Sequence, residues 1–372
     1  MSKLFEPFRL GGLTLANRVV VPPMCQYMCV DGLPGPWHEM NYGTLGISGA
    51  GLVIVEGTGV EDIGRISPLD LGLYNDEQEA ALSAMLGRIR TYSTARWGIQ
   101  LAHAGRKASS QAFDVPYPAA PEDGGWTPVG PSAIAHSDRW PTPTAMAQAE
   151  IDRVVESFAT ATRRAGRIGF DAIEVHAAHG YLISSFLSPV ANARTDGYGG
   201  TLANRMRFAV EVAKAVRAAW PTDKALGFRV NGTDWFEGGI TPEETTELAR
   251  TLRACGIDYV TVSSGGNARG QKLPPVLPGY QVHIAQAIKE GSGIATLTVG
   301  MILKAEQAEA IVASGQADLV GVARAMLDDP RWPLHAAQEL GGEIEYPRPW
   351  WRLSGKHWPG YKLVRPLPEA AQ

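Results

Sequence analysis

Short runs of branched apolar residues recur along the chain, and each is followed by a polar or helix-compatible stretch. Such runs, rich in Val and Ile, are typical of strands buried in a parallel sheet. The pattern predicts strands at 19–21, 52–56, 97–103, 171–176, 225–230, 258–262, 295–299 and 318–324. Pro22 and Pro23 end the first strand because proline cannot donate a hydrogen bond to a central strand.

Between these runs, apolar residues recur at helical spacing. The predicted helices lie at 38–48, 76–92, 150–168, 201–219, 283–290 and 304–313, and two more begin at 241 and 329. Asn75 and Thr241 suit helix caps, and Pro242 suits the first helical position. The alternation predicts an α/β fold, a single-domain (β/α)8 TIM barrel. A doubly wound sheet is the alternative, but no Gly-x-Gly-x-x-Gly follows the first strand.

Two segments depart from this alternation. The stretch 104–147 is dense in Pro, Gly and small residues and predicts a long excursion after the third strand that covers a pocket. The stretch 346–372, rich in Pro and Trp, predicts a C-terminal tail beyond a barrel domain at 1–345. Its aromatic residues fit docking on a neighbouring subunit and packing on its own barrel equally well.

The composition excludes several classes of function. The 372 residues carry 34 basic and 38 acidic side chains, a net charge of −4, without a Lys/Arg block. Nucleic acids and anionic membranes are therefore poor partners. We expect no secretory signal and no membrane span, and three cysteines with reduced thiols in a cytoplasmic protein.

The motif His176-Ala-Ala-His179-Gly-Tyr181 lies where the fourth strand gives way to a loop. In a parallel barrel, ligands collect at the carboxyl ends of the strands. Two imidazoles and a phenol there could bind an oxygen atom and protonate a neighbouring carbon, although simple packing is an equal alternative on this motif alone. No further ligands accompany the two histidines, or the Cys25/Cys29 pair, so we expect no metal.

Other strand ends add chemistry to the same mouth of the barrel. The candidates are Pro23, Met24, Cys25, Tyr27, Gly57, Gln100, His103, Arg229, Gly300, Ala323 and Arg324. Small residues let a ring approach, an amide can bond its edge, and arginines can hold negative charge. The set suits a planar, anionic cofactor, with Arg324 in the region where barrels bind phosphate.

Several motifs together resemble the Old Yellow Enzyme family of FMN-dependent ene-reductases, in particular its xenobiotic-reductase or thermophilic-like branch. The resemblance covers nearly the whole chain. It includes Pro22-Pro-Met-Cys25-Gln-Tyr27, Gln100-Leu-Ala-His103-Ala-Gly-Arg-Lys107, the 176–181 motif, Arg194-Thr-Asp-Gly-Tyr-Gly-Gly200 and Gly321-Val-Ala-Arg324.

The resemblance implies which residues hold a non-covalent FMN. Those carried over by position are Pro22, Pro23, Met24, Cys25, Gly57, Gln100, Arg229, Gly300, Ala323 and Arg324. Gln100 would bond the pyrimidine edge of the flavin, Arg229 would face its N1 side, and Arg324 would hold the phosphate. Gly57 stands where the family usually has Ala.

The resemblance also implies the reaction. NADPH or NADH reduces the flavin, which then reduces an activated alkene such as an α,β-unsaturated carbonyl. His176 and His179 would bind the carbonyl oxygen, Tyr27 would contact the same ligand, Tyr181 would deliver a proton, and Cys25 would tune the reduction potential.

The resemblance extends to the tail, in which Arg352 or Trp351 would reach a neighbour's site in a homodimer or homotetramer. In the loop after the seventh strand the branch often has Trp, and this chain has Val299-Gly300-Met301. Alternatives are another FMN barrel, of the dihydroorotate or dihydrouridine type, and a non-enzymatic flavin-binding module. A dienoyl-CoA reductase would add a cysteine cluster that this sequence lacks.

Overall fold

A closed barrel of parallel strands forms the centre of the molecule. The computed structural model describes residues 2–113 and 118–364. The barrel strands are β3 (Val19–Val21), β4 (Leu52–Gly59), β5 (Arg96–Ala102), β8 (Ala172–Ala177), β9 (Ala225–Asn231), β10 (Tyr259–Ser263), β11 (Ala295–Thr298) and β12 (Leu319–Gly321). The predicted (β/α)8 barrel is confirmed.

Helices surround the barrel, and the predicted ones occur in the predicted order; those at 182–187, 324–328 and 361–364 were not predicted. The helices are α1 (Pro36–Gly46), α2 (Asp76–Arg90), α3 (Gln148–Ile168), α4 (Leu182–Leu187), α5 (Leu202–Ala219), α6 (Pro242–Ala254), α7 (Val282–Ser292), α8 (Ala305–Ala313), α9 (Arg324–Asp328), α10 (Trp332–Leu340) and α11 (Tyr361–Val364). Asn75 and Thr241 cap α2 and α6, since their side chains accept hydrogen bonds from Gln78 N and Glu244 N. No described helix is long and apolar enough to cross a membrane.

An antiparallel hairpin, β1 (Phe8–Leu10) and β2 (Leu13–Leu15), closes the amino end of the barrel. No strand or helix was predicted before residue 19. Leu10, Leu13 and Leu15 are buried in one cluster with residues from the first halves of the barrel strands, among them Val20 and Leu52. Because this end is filled, a ligand site belongs at the opposite, carboxyl end.

Two boundaries near the eighth strand differ from the prediction. The strand expected over 318–324 ends at Gly321, and Arg324 begins the short helix α9 instead. The helix expected from 329 is α10 and starts at Trp332. Pairing with β3 stops at Gly321, although the run of apolar residues continues beyond it. Such a run does not show where the pairing with a neighbouring strand ends.

The predicted excursion separates β5 from α3, and its described residues form only short elements. These are 3-10 turns at Gly105–Lys107 and Pro121–Asp123 and the paired strands β6 (Val129–Gly130) and β7 (Thr144–Ala145). The 3-10 turn at Lys3–Phe5 precedes β1, and another follows β4 at Asp62–Gly64. Residues 114–117 lie outside the described residues.

The described part of the tail lies on its own barrel. A 3-10 turn spans Arg348–Leu353, the Arg331 guanidinium stacks 4.5 Å from the Trp350 ring, and Gln338 Nε2 donates to Tyr361 O at 2.6 Å. Trp351 is 48% exposed. Residues 365–372 of the predicted tail lie outside the described residues.

Candidate active site

The register of the barrel strands brings the candidate residues to one layer at the carboxyl end. His176 on β8 pairs with Arg229 on β9, and Gln100 on β5 pairs with Gly57 on β4 and with Glu174 on β8. Parallel strands in register place such residues beside one another. Residues far apart in sequence thus form one surface.

The two histidine rings of the 176–181 motif face each other. Their centroids are 5.1 Å apart at an interplanar angle of 76°, and His176 Nε2 lies 3.3 Å from His179 Nδ1. The outer ring nitrogens have other partners. His176 Nδ1 accepts from Ala178 N–H at 3.2 Å, and His179 Nε2 lies 2.7 Å from Ser263 Oγ. The two remaining ring nitrogens, His176 Nε2 and His179 Nδ1, therefore face each other.

Both imidazoles are uncharged near neutral pH. Burial, followed by the positive charge of Arg229, lowers the pKa of His176 and His179 well below the usual value. Lys107 adds to the effect on both. A neutral imidazole keeps one N–H donor. The pair can therefore donate hydrogen bonds to an oxygen without placing a full cation beside it.

The loop that carries His179 is held in a sparsely populated backbone conformation. His179 has φ of +59° and Gly180 of +75°. Asn231 Oδ1 accepts from His179 N–H at 3.0 Å, and Lys107 Nζ donates to His179 O at 2.8 Å. A Cβ on Gly180 would lie 2.2 Å from Gly266 O, so this close approach of two loops requires glycine.

Tyr181 lies against the histidines, directly before α4. Its ring meets that of His176 edge to face with centroids 4.7 Å apart, and Lys107 Nζ lies 5.0 Å from the Tyr181 centroid. Burial raises the pKa of the Tyr181 phenol well above its usual value, so the phenol is protonated near neutral pH. Once the phenol gives up its proton, the cation can stabilise the phenolate.

The opposite side of the mouth is acidic. Ligand atoms of Cys25, Glu56 and Asp70 all lie within 4.8 Å of one another. Burial and then the charges of Asp70 and Glu56 raise the pKa of the Cys25 thiol, which is therefore protonated. Burial also raises the pKa of Asp70 to about 7.

These three residues are the one group of potential metal ligands in the described part of the chain. The carboxylate oxygens of Glu56 are already occupied by donors. They accept from Gln26 N–H at 2.7 Å and from the Tyr42 hydroxyl at 3.1 Å. The arrangement is that of a buried hydrogen-bonded network around a thiol.

Tyr27 joins the two sides. Its φ is +54°, and its ring meets Phe113 of the excursion edge to face at 5.9 Å. Burial is the main cause that raises the pKa of Tyr27. The Cys25 thiol and the Tyr27 phenol lie close enough to Tyr181 to oppose its ionisation, so these residues share one mouth of the barrel.

Comparison with known proteins agrees with this geometry. The family model of the NADH:flavin oxidoreductase / NADH oxidase family matches residues 3–343. The chain is 43% identical over 350 residues to an NADPH dehydrogenase of Listeria monocytogenes, which covers 94% of this chain and 98% of that protein.

Solved structures show the same likeness. Morphinone reductase matches with a TM-score of 0.76 and 28% identity, over 94% of this chain and 92% of the other. Its complex with tetrahydroNAD matches with a TM-score of 0.74 and 28% identity, over 93% of each chain. The chain belongs to the Old Yellow Enzyme family of NADH:flavin oxidoreductases. It is an oxidoreductase, with FMN as its cofactor and a nicotinamide nucleotide as its reductant.

The strand ends of this flavoenzyme fit a flat ring. A Cβ added at Gly57 would lie 3.3 Å from Gln100 Oε1 and 3.6 Å from Cys25 Sγ, so these three residues border one narrow space. Gln100 Nε2 donates to Glu174 Oε1 at 2.7 Å, which holds the amide in one orientation. Its oxygen is then turned toward Gly57, where it can meet the edge of a ring.

Arg229 supplies an unused donor in the same layer. Its buried Nε has no hydrogen-bond partner among the described residues. Burial lowers the pKa of Arg229, and the nearby Glu174 opposes that shift. An orphaned cationic donor suits the electron-rich edge of a flavin, which agrees with the expectation for this residue.

The remaining cofactor candidates follow the strand ends. Pro22 and Pro23 directly follow β3, with Met24 packed against the core. Gly300 has φ of +110°, and a Cβ there would lie 2.5 Å from Gln281 Nε2. Ala323 and Arg324 follow β12, with the Arg324 side chain exposed.

One candidate is not brought to the mouth within its own chain. Arg352 is exposed, and its guanidinium lies 5.1 Å from the Trp351 ring of the same tail segment. His103, another strand-end candidate, is buried with Nδ1 accepting from Gly105 N–H at 3.1 Å and Nε2 3.6 Å from Glu61. These contacts give His103 a structural role at the start of the excursion.

Sequence reasoning missed several side chains that shape the site. They are Lys107, Ser263, Asn231, Glu174 and Asp70. Lys107 and Ser263 could have been found, because each stands at or just beyond a strand end. Asp70 lies in a loop, and only the folded chain brings it to Cys25.

Proposed function

We propose that this flavoenzyme is an ene-reductase that reduces α,β-unsaturated carbonyls and similar activated alkenes. The observation that carries the proposal is the pair of inward-facing nitrogens, His176 Nε2 and His179 Nδ1, 3.3 Å apart beside the Tyr181 phenol. When bound, FMN would supply the hydride chemistry between NADPH or NADH and the β-carbon of the alkene.

In this proposal the histidines bind the carbonyl oxygen. N–H groups aimed at one oxygen polarise the conjugated alkene and stabilise the negative charge that develops on that oxygen. Neutral rings do so without the cost of a second buried cation beside Arg229. The contacts of His176 with Ala178 and of His179 with Ser263 orient the rings before the substrate arrives.

Tyr181 is the proposed acid. Its raised pKa keeps the phenol protonated, and it donates that proton to the α-carbon. The ammonium of Lys107, 5.0 Å from the ring, stabilises the phenolate that remains.

Cys25 and Tyr27 complete the pocket. The protonated thiol of Cys25, backed by Asp70 and Glu56, adjusts the reduction potential of the ring beside it. Tyr27 contacts the same ligand as the histidines. Pro22, Pro23, Met24, Gly57, Gln100, Arg229, Gly300, Ala323 and Arg324 hold the cofactor.

We further propose that the enzyme works in the cytoplasm as a homodimer or homotetramer, with residues 1–345 as the barrel domain. The tail, from 346 onward, packs on its own barrel through Trp350 and Tyr361, and its exposed residues dock on a neighbouring subunit and bring Arg352 to that subunit's site. The exposure of Trp351 and Arg352 supports this assignment.

The test is an assay of purified protein with product identification. We expect a yellow protein with one non-covalent FMN that consumes NADPH or NADH in the presence of 2-cyclohexenone or a maleimide and forms the saturated product. A protein that binds FMN and consumes the nicotinamide, yet leaves every activated alkene intact, would exclude the ene-reductase assignment. Size-exclusion chromatography with light scattering tests the oligomer.

A further inference from the structure

The hydrogen-bond chain behind the histidine pair has a direction that depends on where each ring carries its proton. It links Ala178 N–H to His176, His176 to His179, and His179 to Ser263. His179 Nε2 is the one hydrogen-bond partner of the Ser263 hydroxyl among the described residues. Ser263 is 5% exposed, so water hardly competes for that hydroxyl.

The first link decides the tautomer of His176. Its Nδ1 accepts from Ala178 N–H at 3.2 Å and cannot itself carry hydrogen. A neutral His176 therefore carries its hydrogen on Nε2, the atom that faces His179. This assignment needs no ligand.

Without a ligand, only one hydrogen fits between the two rings. Two N–H groups pointing at each other across 3.3 Å would repel, so His176 Nε2–H donates and His179 Nδ1 accepts. His179 must then carry its own hydrogen on Nε2, and it donates to Ser263 Oγ at 2.7 Å. Each ring nitrogen of the two histidines has a partner in this arrangement.

A carbonyl oxygen that accepts from both rings requires the opposite tautomer of His179. To donate to that oxygen, His179 needs its hydrogen on Nδ1, and Nε2 becomes an acceptor. Buried acceptors need donors, and the Ser263 hydroxyl can rotate and donate, because a hydroxyl is both donor and acceptor. A side chain with only one of these two capacities could serve one state alone.

We propose that Ser263 is a positioning residue that lets His179 exchange tautomers, from the Nε2–H form in the free enzyme to the Nδ1–H form when a carbonyl oxygen binds. This rests on the proposed function, since it assigns the oxygen to the histidine pair. The N–H bond at Nε2 breaks and one at Nδ1 forms, with water as the carrier. Net charge and proton count are unchanged.

The direct test is nitrogen NMR of the oxidised holoenzyme carrying 15N-labelled histidine, free and saturated with 2-cyclohexenone. Oxidised enzyme can bind this ketone without reducing it. We expect His179 to give the Nε2–H pattern when free and the Nδ1–H pattern when bound, with His176 in the Nε2–H form throughout. The same His179 tautomer in both states, or a doubly protonated His179 in the complex, overturns the proposal.

Variants separate the hydroxyl from its surroundings. Ser263→Ala removes the donor that the Nδ1–H form of His179 needs, so it should lower the population of that form in the complex and weaken 2-cyclohexenone binding about tenfold, the effect of one buried hydrogen bond. Ser263→Thr, which keeps a hydroxyl, should restore both. Ser264→Ala is the matched control, because Ser264 Oγ donates instead to Gln281 Oε1 at 2.6 Å. An unchanged exchange and affinity in Ser263→Ala contradicts the role of Ser263.

The outcomes distinguish this proposal from the function on which it rests. If the holoenzyme binds and reduces 2-cyclohexenone while His179 keeps one tautomer, only the role of Ser263 fails. If the ketone neither shifts the His179 signals nor perturbs the flavin spectrum, the assignment of the oxygen to the histidine pair fails, and the tautomer proposal falls with it.

Discussion

Burial keeps the ionisable groups on both sides of the barrel mouth uncharged, but the charges of their neighbours have opposite signs on the two sides. On the β8 side, burial keeps the imidazoles of His176 and His179 neutral, and the neighbouring charges are those of Arg229 and Lys107. On the β3 side, burial keeps the Cys25 thiol protonated, and the neighbouring charges are those of Asp70 and Glu56.

The difference suggests a division of labour. Cations beside the histidines and Tyr181 favour states in which negative charge develops, on a carbonyl oxygen or on a phenolate. Carboxylates beside Cys25 oppose negative charge on the thiol. Changes on the β8 side should therefore alter the reaction with the alkene, whereas changes on the β3 side should alter stability and the cofactor.

The largest effect is expected from Tyr181→Phe. Loss of the phenol removes the proposed proton donor and should slow alkene reduction by roughly 10²–10⁴-fold, the usual contribution of general acid catalysis. Reduction of the flavin by NADPH should change little. Stopped-flow measurement of the two half-reactions separates these steps.

Tyr27→Phe is the control for loss of a hydroxyl in the same pocket. It should weaken ligand binding rather than slow the proton transfer. Equal slowing of both half-reactions in Tyr181→Phe would remove the acid role of that phenol.

Asp70→Asn tests the acidic side through stability. The folded-state pKa of Asp70 is raised from 3.8 to about 7, so the folded protein binds more protons than the unfolded chain between these values. The cost of the buried charge therefore grows as pH rises through this window and is complete above it. The variant should be more stable than the parent at pH 8, by up to about 4 kcal/mol, and the gain should vanish near pH 4.

Denaturant unfolding at several pH values, with excess FMN, measures this difference. Asp123→Asn, at an exposed position, is the control and should show no such pH dependence. If Asp70→Asn is no more stable than the parent at pH 8, burial does not disfavour the charged form of the Asp70 carboxyl.

The next prediction concerns Lys107. Burial, followed by the charge of Arg106, lowers the pKa of Lys107 to about 8, so its positive charge is lost as pH rises through that value. The charge favours phenolate formation at Tyr181, and alkene reduction should therefore fall on the alkaline side. Lys107→Met should reduce kcat/KM for the alkene about tenfold, the cost of one charge-assisted contact, and remove this alkaline decline.

A matched control exists at the other end of the barrel. Lys224 Nζ also lies 5.0 Å from an aromatic ring, that of Trp220, and donates to Phe170 O at 2.6 Å. Lys224→Met should leave the pH profile of kcat/KM unchanged. An alkaline decline that persists in Lys107→Met would assign it to another group.

The smallest effect is expected from Gly57→Ala. The new Cβ would meet side-chain atoms at 3.3 Å and beyond, and the backbone there needs no positive φ. FMN affinity should change by less than about threefold. Gly300→Ala is the contrast, because φ is +110° and the Cβ would lie 2.5 Å from Gln281 Nε2. Titration of the FMN-free proteins with FMN compares the two variants. A larger loss of FMN affinity in Gly57→Ala than in Gly300→Ala would contradict the assignment of more room for a methyl group at Gly57.

The barrel itself was predictable because its strands are short apolar runs, and Asn75 and Thr241 mark helix starts by local chemistry. The 8–15 hairpin was missed because its alternation covers only two apolar positions per strand. The start of α9 at Arg324 was missed because β12 ends where its pairing with β3 stops. The local sequence does not show where that pairing stops.

The residues of the candidate site divide in the same way. His176, His179 and Tyr181 stand in one motif, and Gln100 and Arg229 stand at strand ends, so position alone suggested them. The contact of Ser263 with His179, and that of Asp70 with Cys25, join elements far apart in the chain. Such contacts depend on side-chain conformation and strand register, which a single sequence does not reveal.

The central claim is that electrons pass to an activated alkene held at the histidine pair. The most direct measurement is anaerobic mixing of the NADPH-reduced holoenzyme with 2-cyclohexenone, followed by its flavin absorbance and by product analysis. The account predicts that the oxidised flavin spectrum returns as cyclohexanone forms in equal amount. A flavin that stays reduced with 2-cyclohexenone and with maleimides, yet is reoxidised at once by oxygen, would contradict it.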